Sequence, residues 1–127
     1  MASTPQYAGT VRSAAVVVSA ANTNRDGTGT IVTVLTAGSA GTRIDDITVI
    51  ATGTTTTGMV RLFLHNGTDA KLLREIPVTA ATPSSTVAAF SSSITSLALV
   101  IPTGYSLRAS TALAETFNVI VTRAGDF

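Results

Sequence analysis

The chain has 127 residues, with 23 Thr, 12 Ser, 19 Ala and 13 Val against one Lys, two Glu and one Gln. The long polar side chains that clothe the solvent faces of helices are nearly absent, which excludes an all-helical fold, while 45% hydrophobic and 12% charged residues exclude disorder. A formal net charge of +1 leaves no electrostatic footprint for nucleic acid or an anionic membrane, and the absence of Cys excludes disulfides and thiolate metal sites.

In chain order, residues 1–12 (MASTPQYAGTVR) read as an extended N-terminal arm ahead of one domain spanning 13–127. Tyr7 is the expected anchor of that arm, and Arg12 is expected to pair with a carboxylate of a neighbour. The apolar run AAVVVSAA (14–21) is too short for a signal core and lacks a basic leader, so it reads as a buried strand. Asn24-Arg25-Asp26-Gly27 is a turn, and the β-branched run TIVTVLTA (30–37) is a strand. After Gly38-Ser39-Ala40-Gly41 comes a strand over 43–51, then TGTTTTG (52–58), which reads as an unpacked polar loop. Residues 59–65 alternate cleanly. Val60, Leu62 and Leu64 are expected on the core side, with Arg61 and Phe63 on the outside, Phe63 as an exposed contact residue.

Asn66-Gly67 is a hairpin turn into a strand over 71–79, whose Pro77 places it at a sheet edge or a bulge. Further strands are expected at 87–90, 97–101, 105–109 and 117–121, and TALAE (111–115) permits one helical turn. About eight to ten short strands, with turns about every ten residues and no βαβ pattern, predict an all-β fold. The expected architecture is an antiparallel two-sheet β-sandwich, jelly-roll-like, with a core poor in aromatic area that gains from association.

The chemistry available is sparse. His65 is the only histidine, and a Ser-His-Asp hydrolase would need it as base. No serine sits in a G-x-S-x-G elbow, so His65 reads as a turn residue at the solvent edge. Asp45 and Asp46 are adjacent on a strand and point to opposite faces unless the strand is bulged. No phosphate-binding loop and no dense calcium loop is present. These readings predict no enzymatic activity, no cofactor and no metal site. Seven arginines are spread along the chain, a pattern suited to pairing with carboxylates across protein contacts.

At GTRIDDITVIATGTTTTGMVRLFLHNG (41–67) and IPTGYSLRAST (101–111) the chain resembles small virion proteins of tailed bacteriophages. The likeness runs over roughly residues 30–127 and lies in the style of Thr/Ala/Val/Gly-rich strands rather than in a chemical motif. It implies a structural protein of the virion, foremost a capsid decoration (cement) protein that binds across neighbouring coat subunits and stabilises the shell. Its partner would be the major capsid protein or another virion protein, and it would itself form a dimer or trimer, with no nucleic-acid or membrane partner. A receptor- or glycan-binding module of a tail appendage is the alternative. The expected interface residues are Tyr7, Arg12, Arg61, Phe63 and Phe127.

Overall fold

The computed structural model describes residues 9–127. Nine strands follow in chain order: β1 Thr10–Val18, β2 Val32–Thr36, β3 Thr42–Ala51, β4 Gly58–His65, β5 Ala70–Val78, β6 Ser91–Ile94, β7 Leu99–Ile101, β8 Ser106–Thr111 and β9 Phe117–Asp126. They form two antiparallel sheets of a β-sandwich. Sheet A has the order β1-β9-β3-β6, with β7 also pairing β3, and sheet B has the order β2-β8-β4-β5.

The period-2 patterning of the strands builds the core. Ile47, Val49, Val119 and Val121 of sheet A face Val60, Leu62, Leu107 and Ala109 of sheet B, all at 0% exposure. Phe117 is also buried, and Phe90 meets it edge-to-face, with centroids 6.3 Å apart and planes at 88°. Arg12 closes one end of the sandwich. Its guanidinium bonds the Asp126 carboxylate at 2.9 Å within sheet A and the Thr36 carbonyl at 3.1 Å on β2 of sheet B.

Pro77 lies on β5, one of the two outer strands of sheet B, where its missing N–H is tolerated. The Asn66 side chain accepts from the Thr68 and Asp69 amides, and Gly67 takes φ +91°, which completes the hairpin between β4 and β5.

Five local expectations are corrected. Residues 10–12 belong to β1 and pair with Asp126, Gly125 and Ala124, so the arm does not extend to Arg12; residues 1–8, with Tyr7, lie outside the described residues. β1 is an outer strand and only half buried, with Val17 54% exposed. The strand expected at 87–90 forms instead at 91–94. Ser84 turns the preceding chain by accepting from the Thr86 and Val87 amides, and Val87 is left exposed. The serines then pair with β3, because a ladder bonds backbone whatever the side chain, and Ile94 alone anchors the strand inward. Thr55, expected in an unpacked loop, is buried, bridges Ala81 and donates its hydroxyl to the Thr79 carbonyl at 2.8 Å. Residues 112–116 form a bend, in which the Thr111 hydroxyl and the Glu115 amide both bond the Leu113 carbonyl.

Candidate functional site

The two outer faces of the sandwich differ in kind. On sheet A, the residues between the buried ones point outward. Ala15, Ile120, Thr48 and Ser93 form one cross-strand row, and Val17, Asn118, Ile50 and Ser91 form the next. These rows are apolar or hydroxylic apart from the Asn118 amide and carry no charge, and Thr48 and Ser93 share a hydroxyl hydrogen bond of 3.1 Å. Beyond them, Val11 and Val100 share a row with Gly125 and Arg43, and are 86% and 59% exposed.

The charges of this face are confined to a neighbouring cluster where β3 is bulged on either side of Asp46. The bulge frees Asp45 and Asp46 from strict alternation. Asp45 is buried and accepts from Arg43 Nε at 3.1 Å, while Asp46 accepts from the Ser96 amide at 3.1 Å. The Asp46 carboxylate and the Asp45 backbone carbonyl, which accepts from the Leu97 amide at 2.8 Å, thereby secure the segment between β6 and β7, where Ser96 and Ala98 hold φ values of 54° and 52°.

The outer face of sheet B is covered by residues 19–31. The Asn22 amide bonds the Thr111 carbonyl on β8, and its side-chain amide, nearly buried, donates to the carbonyls of Thr28 and Thr30. The loop then reaches β5. Gly27 holds φ +87° so close to Ala70 that a Cβ would stand 2.1 Å from the Ala70 carbonyl oxygen. Arg25 bonds Glu75 at 2.6 Å, and the same carboxylate oxygen takes Arg61 Nε at 2.8 Å. The two guanidiniums, Arg61 first, hold the Glu75 carboxyl below its ordinary range. Arg61 lies opposite Ser110, and its Nη1 and the serine hydroxyl are buried without a protein hydrogen bond.

This cover corrects the expectation for β4. Val60 and Leu62 do face the core, with Leu64 half-buried against it, and Arg61 and Phe63 do lie on the other face. Yet Arg61 is 4% and Phe63 0% exposed. Neither offers a contact surface, because the turn residues Asn24–Gly27 belong to a loop folded back across the sheet. Arg12 is likewise satisfied by Asp126 of its own chain and not by a neighbour. Of the expected interface residues inside the described range, Phe127 stays accessible at 56% exposure, anchored by its amide to the Gly41 carbonyl.

Where the loop ends, a cleft of about 290 Å³ opens between Asp26–Gly29 and the β4–β5 turn. It brings together Asp26, Thr28, His65, Asp69, Lys71 and Arg108. Asp26 accepts from the Thr28 hydroxyl at 2.6 Å and from its amide, which lowers its pKa. His65 Nδ1 accepts from the Gly67 amide at 3.1 Å, so the neutral ring carries its proton on Nε2. Ser106 pairs with His65 across the strands, but its hydroxyl accepts from Arg108 Nε at 3.0 Å. The position at Nδ1 where a hydrolase relay would seat a carboxylate is thus filled by a backbone N–H. Among the described residues, no three His, Cys, Asp or Glu side chains are grouped to hold a metal ion, and no helix is long and apolar enough to cross a membrane. His65 and Asp69 flank one turn and are neighbours in the chain; Asp26, 39 positions before His65, joins them only through the loop.

No protein-family model, no curated protein and no solved structure matches this chain.

Proposed function

We propose that this chain is a structural subunit of a multi-copy protein shell, and that the uncharged half of the sheet A face is the surface it seats on its partner. One observation carries the reading. The chain has eight basic and seven acidic side chains, and none lies on the rows Ala15–Ile120–Thr48–Ser93 and Val17–Asn118–Ile50–Ser91. A face with no charged side chain has no ion to strip of water on docking, whereas the other outer face is sheathed by a loop and rimmed by ion pairs.

The likeness of segments 41–67 and 101–111 to tailed-phage virion proteins makes the shell a phage particle and the role decoration. The strand orders β1-β9-β3-β6 and β2-β8-β4-β5, with the chain crossing between sheets at most connections, support a jelly-roll reading. A subunit that binds assembled coat proteins and not separated ones stabilises the shell by linkage, and symmetry multiplies a modest contribution from each copy. The partner is the major capsid protein or another virion protein, and copies of this chain associate as a dimer or trimer around the same contact.

The test is a double variant, Ala15→Asp with Val17→Lys, mixed with particles lacking the protein. Both side chains are exposed on an outer strand, so the change in folding stability should stay within about 0.5 kcal/mol. The expected result is loss of particle occupancy at an unchanged melting temperature. Wild-type occupancy of the double variant, or a wild-type protein that binds no virion component, overturns the proposal.

A further inference from the structure

We propose that the cleft between Asp26–Gly29 and the β4–β5 turn is a binding site for a saccharide that carries a carboxylate. The groups around it supply two chemistries within one small volume of about 290 Å³, near the lower end of ligand pockets. Lys71 and Arg108 are cationic; with Arg108 Nε committed to Ser106, its terminal nitrogens are left to form a planar donor pair suited to a carboxylate. Asp26 and Asp69 supply acceptors for hydroxyl groups. One Asp26 oxygen is held by Thr28, which fixes the orientation of the other. His65 adds an Nε2–H donor, since the Gly67 amide occupies Nδ1.

The alternatives fit less well. An apolar ligand has only Ile31 and Ala70 to meet as apolar side chains, and a nucleobase has no Phe, Tyr or Trp in the lining to stack on. A multiply charged anion such as phosphate would meet the Asp26 and Asp69 carboxylates as well as the two cations. A ligand with one carboxylate and several hydroxyls satisfies both halves of the wall. The loop that makes the cleft is tied by the Asn22 side-chain bonds and packs at Gly27 against Ala70, so the site is formed in the ligand-free fold. It lies on sheet B, on the opposite side of the sandwich from the face proposed to contact the shell, and the inference does not depend on that contact.

The test is titration of the isotope-labelled full chain with D-glucuronate, followed by amide chemical shifts. The expected outcome is saturable shifts at Gly27, Thr28, Thr68 and Lys71 with a dissociation constant on the order of 1 mM. D-glucose, which lacks the carboxylate, and acetate, which lacks the hydroxyls, should each bind at least about tenfold more weakly. Lys71→Gln and Asp69→Asn change exposed side chains, so the rest of the spectrum should be retained while each weakens glucuronate by about tenfold or more. Binding of glucose or acetate as tight as glucuronate overturns the inference. So do shifts that map away from the cleft, wild-type affinity for glucuronate in either variant, and tighter binding of a free amino acid, which would assign the cleft to a zwitterion. Loss of particle binding by the sheet A variant leaves this readout unchanged, so the two proposals fail separately.

Discussion

Glu75 sits between the buried guanidinium of Arg61 and the exposed one of Arg25, and it is the acceptor that both Nε groups share. Its folded pKa lies below the ordinary 4.5, through Arg61 first and Arg25 second. The stability it contributes is therefore fully present above pH 4.5 and is lost as pH falls through the depressed folded value. Asp126 follows the same rule below its ordinary 3.8, through the Thr42 hydroxyl first and Arg12 after it. The melting temperature should thus hold from neutral pH down to about 4.5 and drop below it. Glu75→Gln should lower it at neutral pH and flatten the acid drop, because a buried charge then loses its counter-charge. A drop as steep in the variant as in the wild type would place the acid response elsewhere. Phe63 gives the second test at this scale. Its side chain is fully buried, so Phe63→Ala should cost about 3–5 kcal/mol in urea unfolding, a folding defect and not an assembly defect.

Among the elements, the 19–31 loop decides the character of sheet B. Its crossing depends on Gly27, where both the left-handed φ of +87° and the Ala70 carbonyl exclude a side chain. Gly27→Ala should lift the loop tip from β5. The expected signs are faster amide exchange over residues 19–31, exposure of Phe63 to a hydrophobic dye, and disruption of the adjoining cleft. Unchanged exchange in the loop would show that the Asn22 bonds alone suffice to hold it. The legibility of the elements follows from where their information resides. β4 and β9 are plain in the chain because alternation over 59–65 and 117–121 is a local signal. β6 is not, since Ser91-Ser92-Ser93 carries no such pattern and is recruited by the open backbone of β3. The outward orientation of Arg61 and Phe63 was legible from parity, but their burial was not, because the covering loop lies at least 30 positions away from both.

For the whole molecule, the pairings that close the sandwich join distant parts of the chain: β1 with β9, β2 with β8 and β3 with β9. Loop closure has to precede most of the stabilising contacts, so refolding should be slow for the size, in milliseconds to seconds, and single-exponential. A microsecond refolding phase carrying the main amplitude would contradict this topology. The core rows run through both sheets without interruption, so circular dichroism and tyrosine fluorescence should report one coincident unfolding transition. Separate transitions for the two sheets would refute a single cooperative core.

Composition and local pattern were enough for the all-β class, the hairpin at Asn66-Gly67, the edge position of Pro77 and the inward rows of Val, Ile and Leu. Each of these depends on steric and solvation preferences expressed within a few residues. The tertiary structure alone decided the partner of Arg12, the burial of Arg61 and Phe63, the ladder formed by three serines and the meeting of Asp26 with His65, Asp69 and Arg108. These depend on which distant segments come to lie together. That is set by the closing of two sheets around one core, and no short stretch of the chain carries it.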